Sequence, residues 1–272
     1  MKIHYLNCGT MHPRLAGLFA PQLDRTPCIC MLIECRDRLV LVDTGLGTRD
    51  MEDFSRLGYL RLILNPMRDP DQTAIRQVER LGYHPKDVSH IICTHLDRDH
   101  AGGLSDFPWA KVHVSSEEQK AALNPKTAPE KERYRKCQLS HGPDWAVQET
   151  ASGEDWFGID RVREIPGLPP EILLVPLQGH TRGHCGVALR RGDGGWILHC
   201  GDAYYVKEEL RLKGKAPAGV RRFRRIAHVN HPKAMSQIEK LKGLLNSSKT
   251  SISMISSHDQ YEYRNLFGRL LD

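Results

Sequence analysis

The 272 residues carry a net charge of +6, with 26% charged and 40% hydrophobic side chains, the balance of a folded globular chain rather than a disordered one. No apolar run approaches the roughly 20 residues that span a bilayer, and Met1 to Leu6 is too short in apolar character for a secretory leader. A cytoplasmic location is therefore expected, with the eight cysteines reduced, no membrane partner, and one domain over 1–272 because no linker interrupts the chain.

In chain order, Lys2 to Asn7, Thr26 to Glu34 and Leu39 to Val42 are rich in Ile, Leu, Val and Cys, are broken by turn residues, and read as strands. Cys28 and Cys30 alternate along the second of these and are expected to serve packing. The loop Asp43-Thr44-Gly45-Leu46-Gly47 permits a tight turn, with Asp43 orienting neighbouring loops rather than ligating a metal. Tyr59, Leu60, Leu62, Ile63 and Leu64 offer apolar surface that could line a pocket. Ala74, Ile75, Val78 and Leu81 recur at helical spacing, so a helix is expected from Asp71 to Gly82.

Val88 to Cys93 is a β-prone run that ends in Thr94-His95-Leu96-Asp97-Arg98-Asp99-His100-Ala101-Gly102-Gly103. Imidazole and carboxylate donors at this density, without cysteine, suit zinc, iron or manganese in an open site rather than a closed structural zinc knot. Lys111 to Val114 alternates as a strand, and Ser115-Ser116-Glu117-Glu118 reads as a helix start, with Ser at the cap and acids in the first turn. That helix is expected to end by Pro125. Residues 125–160 lack a strong period and read as an insertion or substrate-side loop.

Three later β-prone runs end in the same way: Ile172 to Leu177 before Gln178-Gly179-His180-Thr181-Arg182-Gly183-His184, Trp196 to Cys200 before Gly201-Asp202-Ala203-Tyr204-Tyr205, and Ile252 to Ser257 before His258-Asp259. Cys185 to Arg190 completes a hairpin between the first two. Ligand-type residues at four strand ends imply convergence on one site. The basic stretch Lys207 to Arg225, with Arg221, Arg222, Arg224 and Arg225 around Phe223, reads as a solvated helix face, and without a nucleic-acid module a nucleic-acid partner is not expected.

The order Asp43, His95 to His100, His180, Asp202, His258 resembles the metallo-β-lactamase superfamily, and the Gly-His-Thr-x-Gly-His and Asp202-Ala203-x-Tyr205 patterns are similar to those of acyl-homoserine-lactone lactonases. The resemblance implies an α+β fold, a four-layer αββα sandwich, with two divalent ions, zinc first and iron or manganese as alternatives. His95, Asp97 and His180 would hold the first ion, Asp99, His100 and His258 the second, and Asp202 would bridge them. It further implies a small-molecule lactone or similar ester as substrate, opened by a metal-bridging hydroxide, with Tyr205 donating to the oxyanion and Asp99 passing a proton to the leaving group.

Asp97 stands where the family usually has histidine, which lowers the formal charge of the centre by about one and favours harder ions. Arg98 is placed either against Asp97 or outward. Arg182, where proline is common, is a lesser departure, and His184 is read as a turn residue. Asp97 keeps an iron-dependent redox enzyme in view as the alternative function, and the basic stretch a phosphodiesterase or nuclease.

Overall fold

The computed structural model describes residues 1–35, 38–211, 215–245 and 251–271. Six strands form the first sheet in sequence order: β1 (Lys2–Met11), β2 (Thr26–Cys35), β3 (Arg38–Val42), β4 (Val88–Ile92), β5 (Lys111–Ser115) and β6 (Asp144–Gln148). Its first half is an antiparallel meander and β3 to β6 run parallel. The second sheet holds β7 (Glu154–Trp156), β8 (Ile159–Glu164), β9 (Ile172–Pro176), β10 (Cys185–Arg190), β11 (Trp196–His199) and β12 (Ile252–Ile255), antiparallel except for the parallel pair β11 and β12.

Period-2 alternation in the buried strands sorts side chains into separate layers. Ile29, Met31 and Ile33 of β2, with Val42 and Ile92, meet Leu174, Val187 and Leu189 of the second sheet in the central layer. Cys30, Leu32, Leu41 and Ile91 point the other way, against Ala74 and Val78 of the helix Ala74–Arg80 and Ala121 and Ala122 of the helix Ser116–Leu123. On the far side of the second sheet, Val175, Ala188 and Leu198 pack on Ile238, Leu241 and Leu244 of the helix His231–Leu245. The result is the αββα arrangement. Among the described residues no helix is long and apolar enough to cross a membrane.

The expected helix over Asp71 to Gly82 forms as a short 3-10 turn, Pro70–Gln72, followed by Ala74–Arg80, with Gly82 at φ +87° just beyond. Ser115 caps the next helix by accepting from the backbone of Glu118, and that helix ends at Leu123. Residues 125–160 differ from expectation. They contain the helices Ala128–Arg133 and Lys136–Leu139 together with β6, β7 and the start of β8. β6 is an edge strand whose outer positions stay exposed, and β7 turns into β8 through Phe157 and Gly158, both at positive φ. A phenylalanine in that conformation hides the turn from composition-based reading.

Candidate metal centre

Register brings the ligand loops together. β3 and β4 pair in parallel with Val42 opposite Ile92, so Asp43 and Thr94 leave the sheet side by side. β11 and β12 pair in parallel with His199 opposite Ile255, which sends Asp202 and His258 out of the same edge. Across the two sheets, the Cys185 backbone donates to Thr94 O at 2.9 Å and the Ile29 backbone donates to Ser257 O at 2.9 Å.

Two glycines allow the close packing. A Cβ on Gly45, at φ +62°, would lie 2.1 Å from Cys8 O, and one on Gly201, at φ +53°, would lie 2.5 Å from His184 Nε2. Asp43 itself adopts φ +56°, a conformation that aspartate tolerates better than most residues.

Each histidine of the cluster is oriented by its outward nitrogen. His100 Nδ1 donates to Asp43 at 2.9 Å, and His258 Nδ1 donates to Pro27 O at 2.7 Å. His95 Nδ1 lies 2.9 Å from the Thr94 hydroxyl, and His180 Nδ1 lies 3.0 Å from the Tyr205 hydroxyl. The Nε2 atoms therefore face inward, the arrangement that fixes metal-ligating imidazoles. His184 supports the centre from behind: its Nδ1 donates to Leu177 O and its Nε2 accepts the Asp202 backbone N–H, both at 2.9 Å.

The inward donors form two groups. In one, Asp202 Oδ1 lies 3.2 Å from both His100 Nε2 and His258 Nε2, which are 3.3 Å apart, and Asp99 Oδ2 is 3.5 Å from His258 Nε2. Donors placed tetrahedrally about 2.0 Å from a zinc-sized ion are separated by about 3.3 Å, so His100, His258 and Asp202 fit an ion as they stand, with Asp99 Oδ2 a wider fourth donor at 3.5 Å from His258 and 4.0 Å from His100. Asp202 Oδ1, though buried, has no hydrogen-bond partner. Asp202 and nearby Asp43 outweigh the burial that would depress the imidazolium and hold His100 well above the usual histidine range. An anionic pocket of this kind attracts a cation.

In the other group, His180 Nε2 and His95 Nε2 lie 3.1 and 3.6 Å from Asp97 Oδ2. His95 Nε2 and Asp97 Oδ1 are buried without partners. Burial alone would raise the Asp97 carboxyl, but Arg133 holds it well below the usual range. The Arg133 guanidinium bonds Asp97 Oδ2 and reaches His180 Nε2 at 2.9 Å. The three ligand atoms lie within 4.8 Å of one another, a spacing an ion could use, but the Arg133 guanidinium already occupies the Asp97 and His180 donors, so the group does not fit an ion while Arg133 stands there.

Arg98 takes neither of the positions expected for it. It is buried at 4% exposure and bonds Leu57 O and Glu132, so Arg133 is the partner of Asp97. Arg182 donates to Glu130 at 2.6 Å. Sequence reasoning also missed Cys28, whose sulfur lies within 4.8 Å of ligand atoms of Asp99 and His258, and His228, whose Nδ1 is 3.2 Å from His180 Nδ1. Burial pushes the Cys28 thiol well up and the His228 imidazole down to about 2, so each is neutral near pH 7.

Tyr205 is 3% exposed and lies against Phe223 of the helix Ala218–Ala227. Tyr204 turns away and donates to Glu262 at 2.9 Å. The basic stretch is partly inward as well, since Arg224 pairs with the buried Glu209.

Two stacked sheets whose parallel strand ends deliver histidine and aspartate donors to one edge define a metal-dependent hydrolase. Residues 23–247 match the metallo-beta-lactamase superfamily, and the chain belongs to that family. Over 264 residues it is 36% identical to a probable metallo-hydrolase of Mycobacterium tuberculosis, covering 97% of this chain and 82% of the relative. It is 27% identical over 259 residues to the N-acyl homoserine lactonase AiiA of Bacillus thuringiensis subsp. kurstaki, covering 92% and 91%. The fold is shared with an N-acyl homoserine lactone hydrolase solved with N-hexanoyl-L-homoserine at its catalytic metal centre, at a TM-score of 0.73, 22% identity and coverage of 99% and 98%.

Proposed function

We propose that this hydrolase opens a lactone or a similar carboxylic ester carrying an apolar tail. The observation that carries the reading is the Tyr205 hydroxyl beside the ligand cluster, 3.0 Å from His180 Nδ1. In the tautomer that lets Nε2 accept from Arg133, the imidazole proton sits on Nδ1 and is donated to the Tyr205 oxygen. The phenol proton is then free to be donated to a developing oxyanion, as in acyl transfer. Asp99, at the edge of the ligand group, is the candidate to pass a proton to the leaving alkoxide. Asp99, His100, Asp202 and His258 would hold a divalent ion, which would supply Lewis acidity at the substrate carbonyl and lower the pKa of a nucleophilic water.

The surroundings support an apolar tail. Leu15, Leu18, Phe19, Leu62 and Ile63 are exposed, and Arg14 N donates to Ile63 O at 2.7 Å, which joins the two segments. Leu57, Leu64 and Asp99 line one small cavity beside the ligand cluster. Redox chemistry receives less support, because Asp97, the residue that would favour it, is engaged by Arg133. A cytoplasmic location remains part of the proposal.

The test is hydrolysis of a panel of acyl lactones, thioesters and phosphodiesters by protein of measured metal content. Lactones with medium or long acyl tails are expected to show the highest kcat/KM. Phosphodiester turnover above that of every lactone would replace this reading with the phosphodiesterase alternative.

A further inference from the structure

We infer that Arg133 takes the place of the first metal ion, so that the resting enzyme holds one divalent ion, at Asp99, His100, Asp202 and His258. The reason is valence. His180 Nε2 has one lone pair, and it accepts an N–H from Arg133 at 2.9 Å. The same lone pair cannot also bind an ion. Were the imidazole proton on Nε2 instead, it would be donated to Asp97 Oδ2 at 3.1 Å, and the nitrogen still could not ligate. Asp97 Oδ2, the next donor of that group, carries the other bond from the same guanidinium nitrogen.

Arg133 is held in this position. Its second terminal nitrogen bonds Ala227 O, and its side chain is 14% exposed. The short helix Ala128–Arg133 that carries it is pinned on both sides: Glu130 pairs with Arg182 of the His180 loop, and Glu132 with Arg98 of the His95 loop. Withdrawing Arg133 with no ion to replace it would leave the largely enclosed Asp97 carboxylate without a cation, a costly change. Asp97 and Arg133 thus act as one charge-neutralised pair. A carboxylate where the family has histidine creates a negative charge, and the guanidinium neutralises it in the space an ion would use.

The ligands of the other position are unaffected. His100, His258 and Asp202 form no hydrogen bond or ion pair with Arg133 among the described residues, and their mutual spacing already suits an ion. His95 Nε2, unpartnered and buried, also forms a donor group with His100 and Asp202, so its lone pair remains available on that side.

The experiment counts ions. Protein purified without chelator, loaded with zinc and passed through a desalting column is analysed for metal and protein, for wild type and for Arg133→Met with Asp97→His. One ion per wild-type chain and two per double variant are expected, with affinity for a second equivalent of zinc rising at least about 100-fold in the variant. Two tightly held ions in the wild type would overturn the inference, and so would one ion in both proteins. Should the double variant not fold, cobalt-loaded wild type decides: magnetically isolated ions at one equivalent, with no spin-coupled pair at two, support it, and a coupled pair refutes it. One ion per chain is expected whichever ester the enzyme opens, so failure on lactones and failure of the ion count are separate outcomes.

Discussion

Asp43 and His100 meet at 2.9 Å through a buried carboxylate and an imidazole Nδ1, although 57 residues separate them in the chain. The same carboxylate accepts from the Thr94 backbone at 2.8 Å and the Thr94 hydroxyl at 2.7 Å. Asp43 therefore sets both the tautomer of His100 and the path of the loop that carries it. In Asp43→Asn, one side of the amide would present N–H groups where His100 Nδ1–H or the Thr94 donors need an acceptor. Affinity for the ion is expected to fall about 10- to 100-fold, read by competition with a zinc chelator. Unchanged affinity would mean that His100 is oriented by packing alone.

Glu118 binds the two principal ligand loops to each other. Its carboxylate accepts from Leu96 N at 3.0 Å, the Thr181 hydroxyl at 2.6 Å and Gly183 N at 3.0 Å, all buried. Glu118→Ala leaves two backbone N–H groups and a hydroxyl without partners, and is expected to destabilise the protein by about 3 kcal/mol or more, measured by urea unfolding. Ion content should fall with it. A loss below about 1 kcal/mol would show that water replaces the carboxylate without cost to the loops.

Much of the centre was legible because the chemistry is local in sequence: a β-prone run followed at once by His95 to His100, by His180, by Asp202 or by His258 reveals a ligand loop without knowledge of its partners. Arg133 was not. It lies in Pro129-Glu130-Lys131-Glu132-Arg133, inside the stretch that reads as an insertion or substrate-side loop, and only tertiary packing turns Glu130 and Arg133 inward while Lys131 remains outside the centre. Cys28 was hidden for a related reason: the alternation that places it on β2 is that of a core strand, and its neighbours Asp99 and His258 are distant in the chain. Most strands were legible as β-prone runs and the αββα layers followed from the family resemblance, whereas β6 and β7 were not, because an exposed edge strand and a turn through Phe157 both weaken the signal.

Glu262 predicts a pH dependence of stability. Burial, aided by Asp259, raises its carboxyl to about 8, against hydrogen bonds from Ser256 N and Tyr204 and the nearby Lys207 charge that act in the other direction. The folded state keeps a proton that the unfolded chain, near 4.5, gives up. Stability due to this group is therefore fully present below about pH 4.5 and declines as pH rises towards 8, by on the order of a few kcal/mol. Glu262→Gln, which cannot ionise, should have a higher Tm than wild type at pH 8 to 9 and a similar one near pH 5. Parallel Tm curves for the two proteins would assign the pH dependence to other groups.

Tyr205 is the residue on which the proposed chemistry turns. With its oxygen accepting from His180 Nδ1, its proton makes no hydrogen bond among the described residues, so on the proposed reading removing the hydroxyl should affect developing charge more than the bound ground state. Tyr205→Phe is expected to lower kcat and kcat/KM together, by about 100-fold on the preferred lactone, with ion content unchanged. His180 should keep its orientation in that variant, because the neutral His228 Nδ1, 3.2 Å away, is an alternative acceptor for the same N–H. Tyr204→Phe is the control: its hydroxyl donates to Glu262 in the interior, so the change should reduce stability modestly and leave turnover within about threefold of wild type. If Tyr205→Phe instead loses its ion, the hydroxyl acts through His180, and the oxyanion role passes to another donor.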